Sequence, residues 1–214
     1  MNSNQTVWIA RHGNRLDFVN PEWFNTAERP YDPPLSEDGI MQAQQLGKRL
    51  KSENIVHIFA SPFLRTIQTA HQIAEILDIE IKLEAGLAEW HNPEWMSQHP
   101  EIHPPDYLDK EYPRINWHYH SKCVPQYPET ETKVMQRTGE IIKQLIAEFP
   151  ENILLVGHGV SVLGTTWGLV PGTPKIRAAL CCLVKVVYED ERWQLKLNGD
   201  TSHLHKTESK ISFL

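Results

Sequence analysis

Cysteine is scarce in this chain of 214 residues: three are present, too few for the disulfide framework that staples small secreted folds. Cys181 and Cys182 are adjacent inside an apolar run, so they are expected to be buried free thiols in a reducing, cytoplasmic compartment. No apolar stretch is long enough to cross a bilayer, and the polar start Met1–Gln5 lacks the basic and apolar regions of a secretory signal. No membrane partner is expected. Positive charge is not in excess either; a net charge of −6 supplies no overall field to hold a polyanion, which disfavours nucleic-acid binding. Any anion site must therefore be locally basic. Repeats and low-complexity tracts are absent, and so is a Walker-type phosphate loop. Gly159-Val160-Ser161-Val162 runs on to Leu163 where a nucleophile elbow needs glycine, which removes the serine-hydrolase reading.

What is present is an alternation of short apolar runs with helical patterns, within a chain that is 40% hydrophobic and large enough for one sizeable core. One domain, 1–214, is expected. Val7–Ala10 reads as a buried strand ending in Arg11-His12-Gly13, followed by an irregular stretch through Pro33-Pro34. Ser36 is placed to cap a helix whose Ile40, Ala43, Leu46 and Leu50 form one stripe, with Glu37 and Asp38 suited to its first turn. A second strand, Ile55–Ala60, runs into Ser61-Pro62, read as a cap with proline at the first helical position. Ile67, Ala70, Ala74 and Leu77 then share a helix face, leaving Arg65 in the first turn. A short strand near Ile79–Leu83 follows. From about 91 to 128 prolines, aromatics and histidines concentrate, which predicts an inserted lid or loop region. Helical spacing returns at Val134, Ile141, Leu145 and Phe149. Strand Ile153–Val156 then ends in Gly157-His158-Gly159, repeating the layout of the first strand. A helix from Val160 should stop before Pro171, and Ala178–Tyr188 should pair with Trp193, Leu195 and Leu197 around Glu189-Asp190-Glu191. The fold class is thus α/β: a three-layer sandwich with a mostly parallel sheet flanked by helices.

Arg11 and His12, Arg65, and His158 fall at three separate strand ends, and open α/β sheets bind ligands beyond the carboxyl ends of their strands. Guanidinium forks match phosphate oxygens, and a helix starting after His158 adds backbone N–H groups. Such a pocket suits a phosphate dianion. Hydrolysis of phosphate esters is among the slowest uncatalysed reactions, and fixed cations can stabilise the transferring phosphoryl group.

Arg11-His12-Gly13, the run Ser61-Pro62-Phe63-Leu64-Arg65-Thr66-Ile67-Gln68-Thr69-Ala70 and Gly157-His158-Gly159, in that order, resemble the histidine phosphatase superfamily in its phosphoglycerate-mutase-like branch. Arg15, Asp17 and Gly86-Leu87-Ala88-Glu89-Trp90 most resemble the phosphatase domain of the ubiquitin-associated and SH3 domain-containing proteins, whose flanking modules are not found here. The resemblance implies a phosphomonoesterase that forms a phosphohistidine at His12. Arg11, Arg15, Arg65 and His158 would hold the phosphate, and Glu89 would be general acid and then base. Glu84 and Glu94 lie close enough in sequence to compete for that last role. A phosphoglycerate-type mutase is the alternative, although the mutase motif continues with serine and asparagine where this chain has Asn14, Arg15, Leu16 and Asp17. The other alternative, a non-catalytic phospholigand-binding module, would be expected to lose His12 or the acid.

No cofactor and no metal ion are expected. His99 and His103 have the spacing of two ligands on one helix turn, among the lid histidines His91, His99, His103, His118 and His120. Pro100, Pro104 and Pro105 argue against that helix. Trp23, Phe24, Trp90 and Trp95 read as loop-packing residues, or as a preference for an aromatic or apolar leaving group. The implied partner is a small phosphorylated substrate or a phosphopeptide; oligomeric state is not legible.

Overall fold

In a computed structural model, residues 5–205 are described; most of the polar start, residues 1–4, lies outside them. In chain order the elements are β1 (Thr6–Arg11), α1 (Leu16–Val19), α2 (Trp23–Thr26), α3 (Glu37–Leu50), β2 (His57–Ala60), α4 (Leu64–Leu77), β3 (Ile81–Leu83), α5 (Pro105–Glu111), α6 (Glu131–Glu148), β4 (Ile153–Gly157), α7 (Gly159–Leu169), β5 (Leu183–Glu189) and β6 (Arg192–Asp200). The strands form one sheet in the order β3-β2-β4-β1-β5-β6. β3, β2, β4 and β1 run parallel, whereas β5 and β6 are antiparallel. This is the mostly parallel, helix-flanked α/β sheet expected from the alternation of apolar runs.

Side chains alternate across a pleated strand, so each central strand supplies both faces. Val7, Ile9, Phe59, Ile153 and Leu155 pack under Ile141, Ile142 and Leu145 of α6 and Val162 of α7. Their neighbours Trp8, Ala10, Ile58, Ala60, Leu154 and Val156 pack under Leu46 and Leu50 of α3 and Ala70, Ile73 and Ala74 of α4. Burial on both faces explains why these strands read as continuous apolar runs. The β5–β6 hairpin turns through Asp190 and Glu191, whose φ angles of 51° and 60° suit a two-residue turn with both central residues left-handed. Part of the 91–128 insertion is anchored on α4, where Leu108, Tyr112 and Ile115 cover Leu64 and Ile67. Cys123, Cys181 and Cys182 are free, the last two buried.

Several boundaries differ from the sequence reading. α4 starts at Leu64, not at Pro62, because the Ser61 hydroxyl is engaged elsewhere. The Leu64 N–H is instead accepted by Asp32 Oδ1 at 2.7 Å, a cap supplied from the preceding loop. The stretch before Pro33 is not wholly irregular but contains the single turns α1 and α2. β2 and β3 are shorter than their apolar runs, and β5 begins only at Leu183, after a turn in which Cys181 takes φ 53°.

The loop after β1 is clamped against the start of α3. Ser36 Oγ accepts the Gly39 N–H at 3.1 Å, and the Asn14 carbonyl accepts the Ser36 N–H at 2.9 Å. A Cβ on Gly39 would lie 2.1 Å from the Asn14 carbonyl oxygen. Glycine to alanine inside a helix ordinarily stabilises by up to about 1 kcal/mol. Here the sign should reverse: Gly39→Ala is expected to destabilise by roughly 1–3 kcal/mol in chemical denaturation, as overpacked sites do.

Candidate active site

The carboxyl ends of β1, β2 and β4 deliver His12, Ser61 and His158 to one place. The His12 peptide is fixed from both sides of its strand, its N–H donating to the Gly157 carbonyl at 2.9 Å and its carbonyl accepting from Cys181 N–H at 3.0 Å. The ring is wholly buried. His12 Nδ1 lies 2.8 Å from the Gly13 carbonyl oxygen, which only accepts, so Nδ1 carries the proton. Nε2 is then a bare lone pair, buried and without a protein partner. Burial, followed by the Arg65 and Arg11 guanidiniums, pushes the His12 pKa well below the ordinary imidazole value. The ring is neutral at physiological pH.

His158 is the N-cap of α7, and its N–H is accepted by Ser161 Oγ at 2.6 Å. Its ring stands edge-on to His12, with centroids 5.4 Å apart. Nε2 lies 2.8 Å from Ser61 Oγ, while Nδ1 faces Arg65 Nη2 at 3.2 Å and Glu89 Oε2 at 3.3 Å. Burial, opposed by Glu89, holds His158 down to about 4. It is therefore neutral too; with the Ser61 hydroxyl donating to Nε2, the one ring proton lies on Nδ1, directed toward Glu89.

Arg11, at the end of β1, is buried and donates through Nη1 to the Ala178 carbonyl at 2.8 Å. Arg65, in the first turn of α4, is buried over the Phe63 ring, 4.7 Å from its centroid, and reaches Glu89 Oε2 at 3.5 Å. Burial lowers its pKa to about 10, so it remains cationic at neutral pH. The Nε atoms of both arginines are buried with no protein partner, as is His12 Nε2. Buried polar atoms are usually paired, so two guanidinium donors left free on arginines whose charge acts on His12 suit an anion. Arg15 stands at the mouth, its fork on the Asp17 carboxylate and its guanidinium 4.3 Å above the Phe18 ring.

Glu89 sits in the loop between β3 and α5. Burial would raise its pKa, but His158 and Arg65 outweigh that and keep it well below the usual carboxylate range. It lines two chambers. One, of about 260 Å³, is walled by Arg15, Phe18, Phe24, Tyr31, Arg65, Trp95 and Met96. The other, of about 210 Å³, includes Arg11, Trp90, Trp95, Gly159 and Leu163. Glu84 is elsewhere: its buried carboxylate accepts from Tyr119 Oη at 2.6 Å, Ser121 Oγ at 2.8 Å and the N–H groups of Gly86 and Lys122 at 2.8 and 2.9 Å. It fastens the insertion to β3 and has no lone pair to spare. Glu94 is exposed.

All six residues singled out in the sequence, Arg11, His12, Arg15, Arg65, Glu89 and His158, are thus gathered at one sheet end. His12, Glu89 and His158 also offer nitrogen and oxygen atoms within 4.8 Å of one another, a spacing a cation could use. Arg65 Nη2 already sits against the His158 and Glu89 atoms of that set, so the local charge suits an anion better. In the insertion, His99 packs edge-on to His91 and His103 stacks on Tyr107, both ahead of the helix that starts at Pro105.

Sequence reasoning did not give functional weight to Ser61, Asp32, Glu129 or Arg137. In sequence Ser61 has the pattern of a helix cap, although its place at a strand end before proline also suits a site residue. Asp32 was a lone carboxylate in Pro30-Tyr31-Asp32-Pro33-Pro34. Arg137 was legible as a cation three residues after Val134, on the apolar stripe of α6.

A parallel sheet end that gathers neutral imidazoles, a carboxylate and guanidiniums around unpaired buried donors defines an α/β protein built to hold a phosphate-like anion. The chain belongs to the histidine phosphatase superfamily (branch 1), whose sequence pattern matches residues 7–201. Transcription factor tau 55 kDa subunit of Saccharomyces cerevisiae is 30% identical over 95% of this chain and 57% of that protein. Ubiquitin-associated and SH3 domain-containing protein B of Homo sapiens is 31% identical over 79% of this chain and 32% of that protein. The chain thus spans about half of the first relative and a third of the second. A probable phosphoglycerate mutase GpmB of Photorhabdus laumondii is 31% identical over 92% of this chain and 94% of that protein. Among solved structures, ecdysone phosphate phosphatase from Bombix mori in complex with tungstate superposes with a TM-score of 0.80, covering 97% of this chain and 98% of that one at 19% identity. That likeness is one of fold.

Because burial and the flanking guanidiniums act in the same direction on His12, its imidazole should remain neutral at pH 6, followed by nitrogen chemical shifts. Replacing Arg65 with glutamine removes one of the cations, so the His12 titration should move to higher pH. An unchanged midpoint would show that Arg65 does not set the charge state.

Proposed function

We propose that this chain is a phosphomonoesterase of a single histidine-phosphatase domain, working through a phosphohistidine at His12 without a metal ion. One observation carries the reading: the proton on His12 Nδ1 is committed to the Gly13 carbonyl, which leaves Nε2 unprotonated and unpaired among cations. Nε2 attacks phosphorus, the P–O bond to the alcohol breaks, and Glu89 protonates the leaving oxygen. Arg11, Arg15, Arg65 and His158 bind the phosphoryl oxygens and stabilise their charge in the transition state. Glu89, now a carboxylate, takes a proton from water as it attacks the phosphohistidine, which releases inorganic phosphate and restores the imidazole.

The larger chamber supports a leaving-group class. Phe18, Phe24 and Trp95 are exposed large apolar side chains that meet at its mouth. The Tyr31 hydroxyl is engaged by the Ser97 hydroxyl at 2.9 Å and accepts the Ser97 N–H at 3.0 Å. Arg15, Arg65 and Glu89 are the chamber's charged groups, and the phosphate and the proton transfer use them. A carboxylate-bearing or polyhydroxylated leaving group would lose hydration there without replacement. An aryl or compact apolar phosphate ester would not, which supports the phosphatase reading over a mutase one.

Hydrolysis of p-nitrophenyl phosphate is expected with chelator present, with vanadate as inhibitor, and His12→Ala should abolish it. Loss on chelation alone would overturn the metal-free reading, and interconversion of the two monophosphoglycerates would favour a mutase. Glu89→Gln should lower kcat by about 100-fold with little change in KM.

Both the His12 and Glu89 pKa values are depressed. The reactive form needs His12 neutral, which holds above its lowered pKa, and a proton on Glu89, which is lost above its own. Hence kcat/KM should fall by about tenfold per pH unit on the alkaline side, with the optimum on the acid side of neutrality. A profile that rises through pH 7 would contradict this.

A further inference from the structure

Arg137 occupies a position on α6 where the periodicity calls for an apolar side chain, among buried Val134, Thr138, Ile141 and Ile142, and it is itself buried. A guanidinium carries five N–H donors, and the geometry accounts for all of them. Nε and Nη2 donate to Glu129 Oε1 and Oε2 at 2.7 and 2.8 Å. Nη1 donates to the Gly86 and Ala88 carbonyls at 2.8 and 3.2 Å, and Nη2 also to the Glu89 carbonyl at 3.3 Å. Glu129 continues the grip on the same loop. Its carboxylate accepts the His91 N–H at 3.4 Å, its own N–H donates to the His91 carbonyl at 2.9 Å, and its carbonyl accepts Trp90 Nε1 at 3.0 Å. Beyond the single 3-10 turn Ala85–Leu87, residues 88–91 have no regular structure of their own. Apart from the short-range bonds of Ala88 N–H to the Ala85 carbonyl, Asn92 N–H to the Trp90 carbonyl and Trp90 N–H to Glu89 Oε1, this pair ties their backbone to the rest of the fold. A charge-paired fork costs desolvation and is not needed to fill an apolar layer, so its use here calls for a positional reason.

We propose that the Glu129–Arg137 ion pair is a positioning device: it fixes the loop 86–91 so that the Glu89 carboxylate meets the leaving oxygen at proton-transfer distance. This rests on the assignment of Glu89 as general acid. Neither side chain is a catalytic residue; both act through the backbone that carries Glu89. Proton transfer requires heavy atoms within about 2.6–3.2 Å, and a misplacement of about 1 Å can cost on the order of 100-fold.

The test uses leaving groups of different need for a proton. An alkyl phosphate cannot depart without one, phenyl phosphate is intermediate, and 2,4-dinitrophenolate leaves unaided. Arg137→Lys keeps the charge opposite Glu129 but cannot reach three carbonyls at once. It should lose roughly 30- to 100-fold in kcat/KM on the alkyl ester and only a few-fold on the dinitrophenyl ester. The paired substitution Arg137→Met with Glu129→Gln removes both charges, avoids a stranded buried ion and should show the same steepened dependence. It also provides the measurement if Arg137→Lys does not fold. Equal losses on all three esters, or wild-type values throughout, would overturn the inference while Glu89→Gln retains its steep dependence. A Glu89→Gln enzyme that treats the three esters alike would instead remove the acid assignment, and the positioning role with it.

Discussion

The constraint on which the site depends is the need for an uncharged imidazole among guanidinium groups. A nitrogen that is to attack phosphorus must keep its lone pair, yet the arginines that hold a phosphate would stand beside it whether or not it is protonated. Burial resolves this in one direction, because it penalises a further cation at His12 while the Arg11 and Arg65 guanidiniums, with much higher intrinsic pKa values, keep their charge. The Gly13 carbonyl completes the arrangement by fixing which ring nitrogen carries the proton. The carboxylates of Asp32 and Glu89 temper the cationic field, each next to Arg65. Asp32, buried and raised to about 6, also caps α4, so the helix that carries Arg65 and the guanidinium itself share one counter-ion.

The layered sheet turns sequence-distant residues into neighbours without relying on long loops. β1, β2 and β4 are adjacent, and their registers align Ala10, Ala60 and Val156 in one row. The residues that follow those strand ends meet as a result. Packing on both faces holds that row, with α3 and α4 on one side and α6 and α7 on the other. The loop that bears Glu89 lies outside this framework, which is why a buried ion pair and three carbonyl contacts are concentrated on it.

Much of this was legible in the residues. Strands buried on both faces announced themselves as apolar runs, and helices with one buried face as stripes of period 3.6, so the fold class and element order could be read directly. Side chains at strand ends were legible because their neighbours in sequence fix where they emerge. What could not be read was contact made across the chain. Ser61 followed by Pro62 has the local pattern of a helix start, yet the hydroxyl is taken by His158, ninety-seven residues away, and Asp32 caps the helix instead. Glu84 and Glu89 look equivalent in sequence, and only their partners separate them: one is saturated by the insertion, the other faces arginine and imidazole. The insertion itself has no periodic signal because few of its residues belong to regular elements.

The His12 peptide is bonded on one side to Gly157 and on the other to Cys181, so the backbone at the proposed nucleophile belongs to the sheet and not to a free loop. The anion cradle is therefore not built around the imidazole but stands beside it. Replacing that ring alone would leave the strand pairing and the guanidiniums beside it in place, so on the proposed reading attack on phosphorus and retention of the anion are separable on this scaffold.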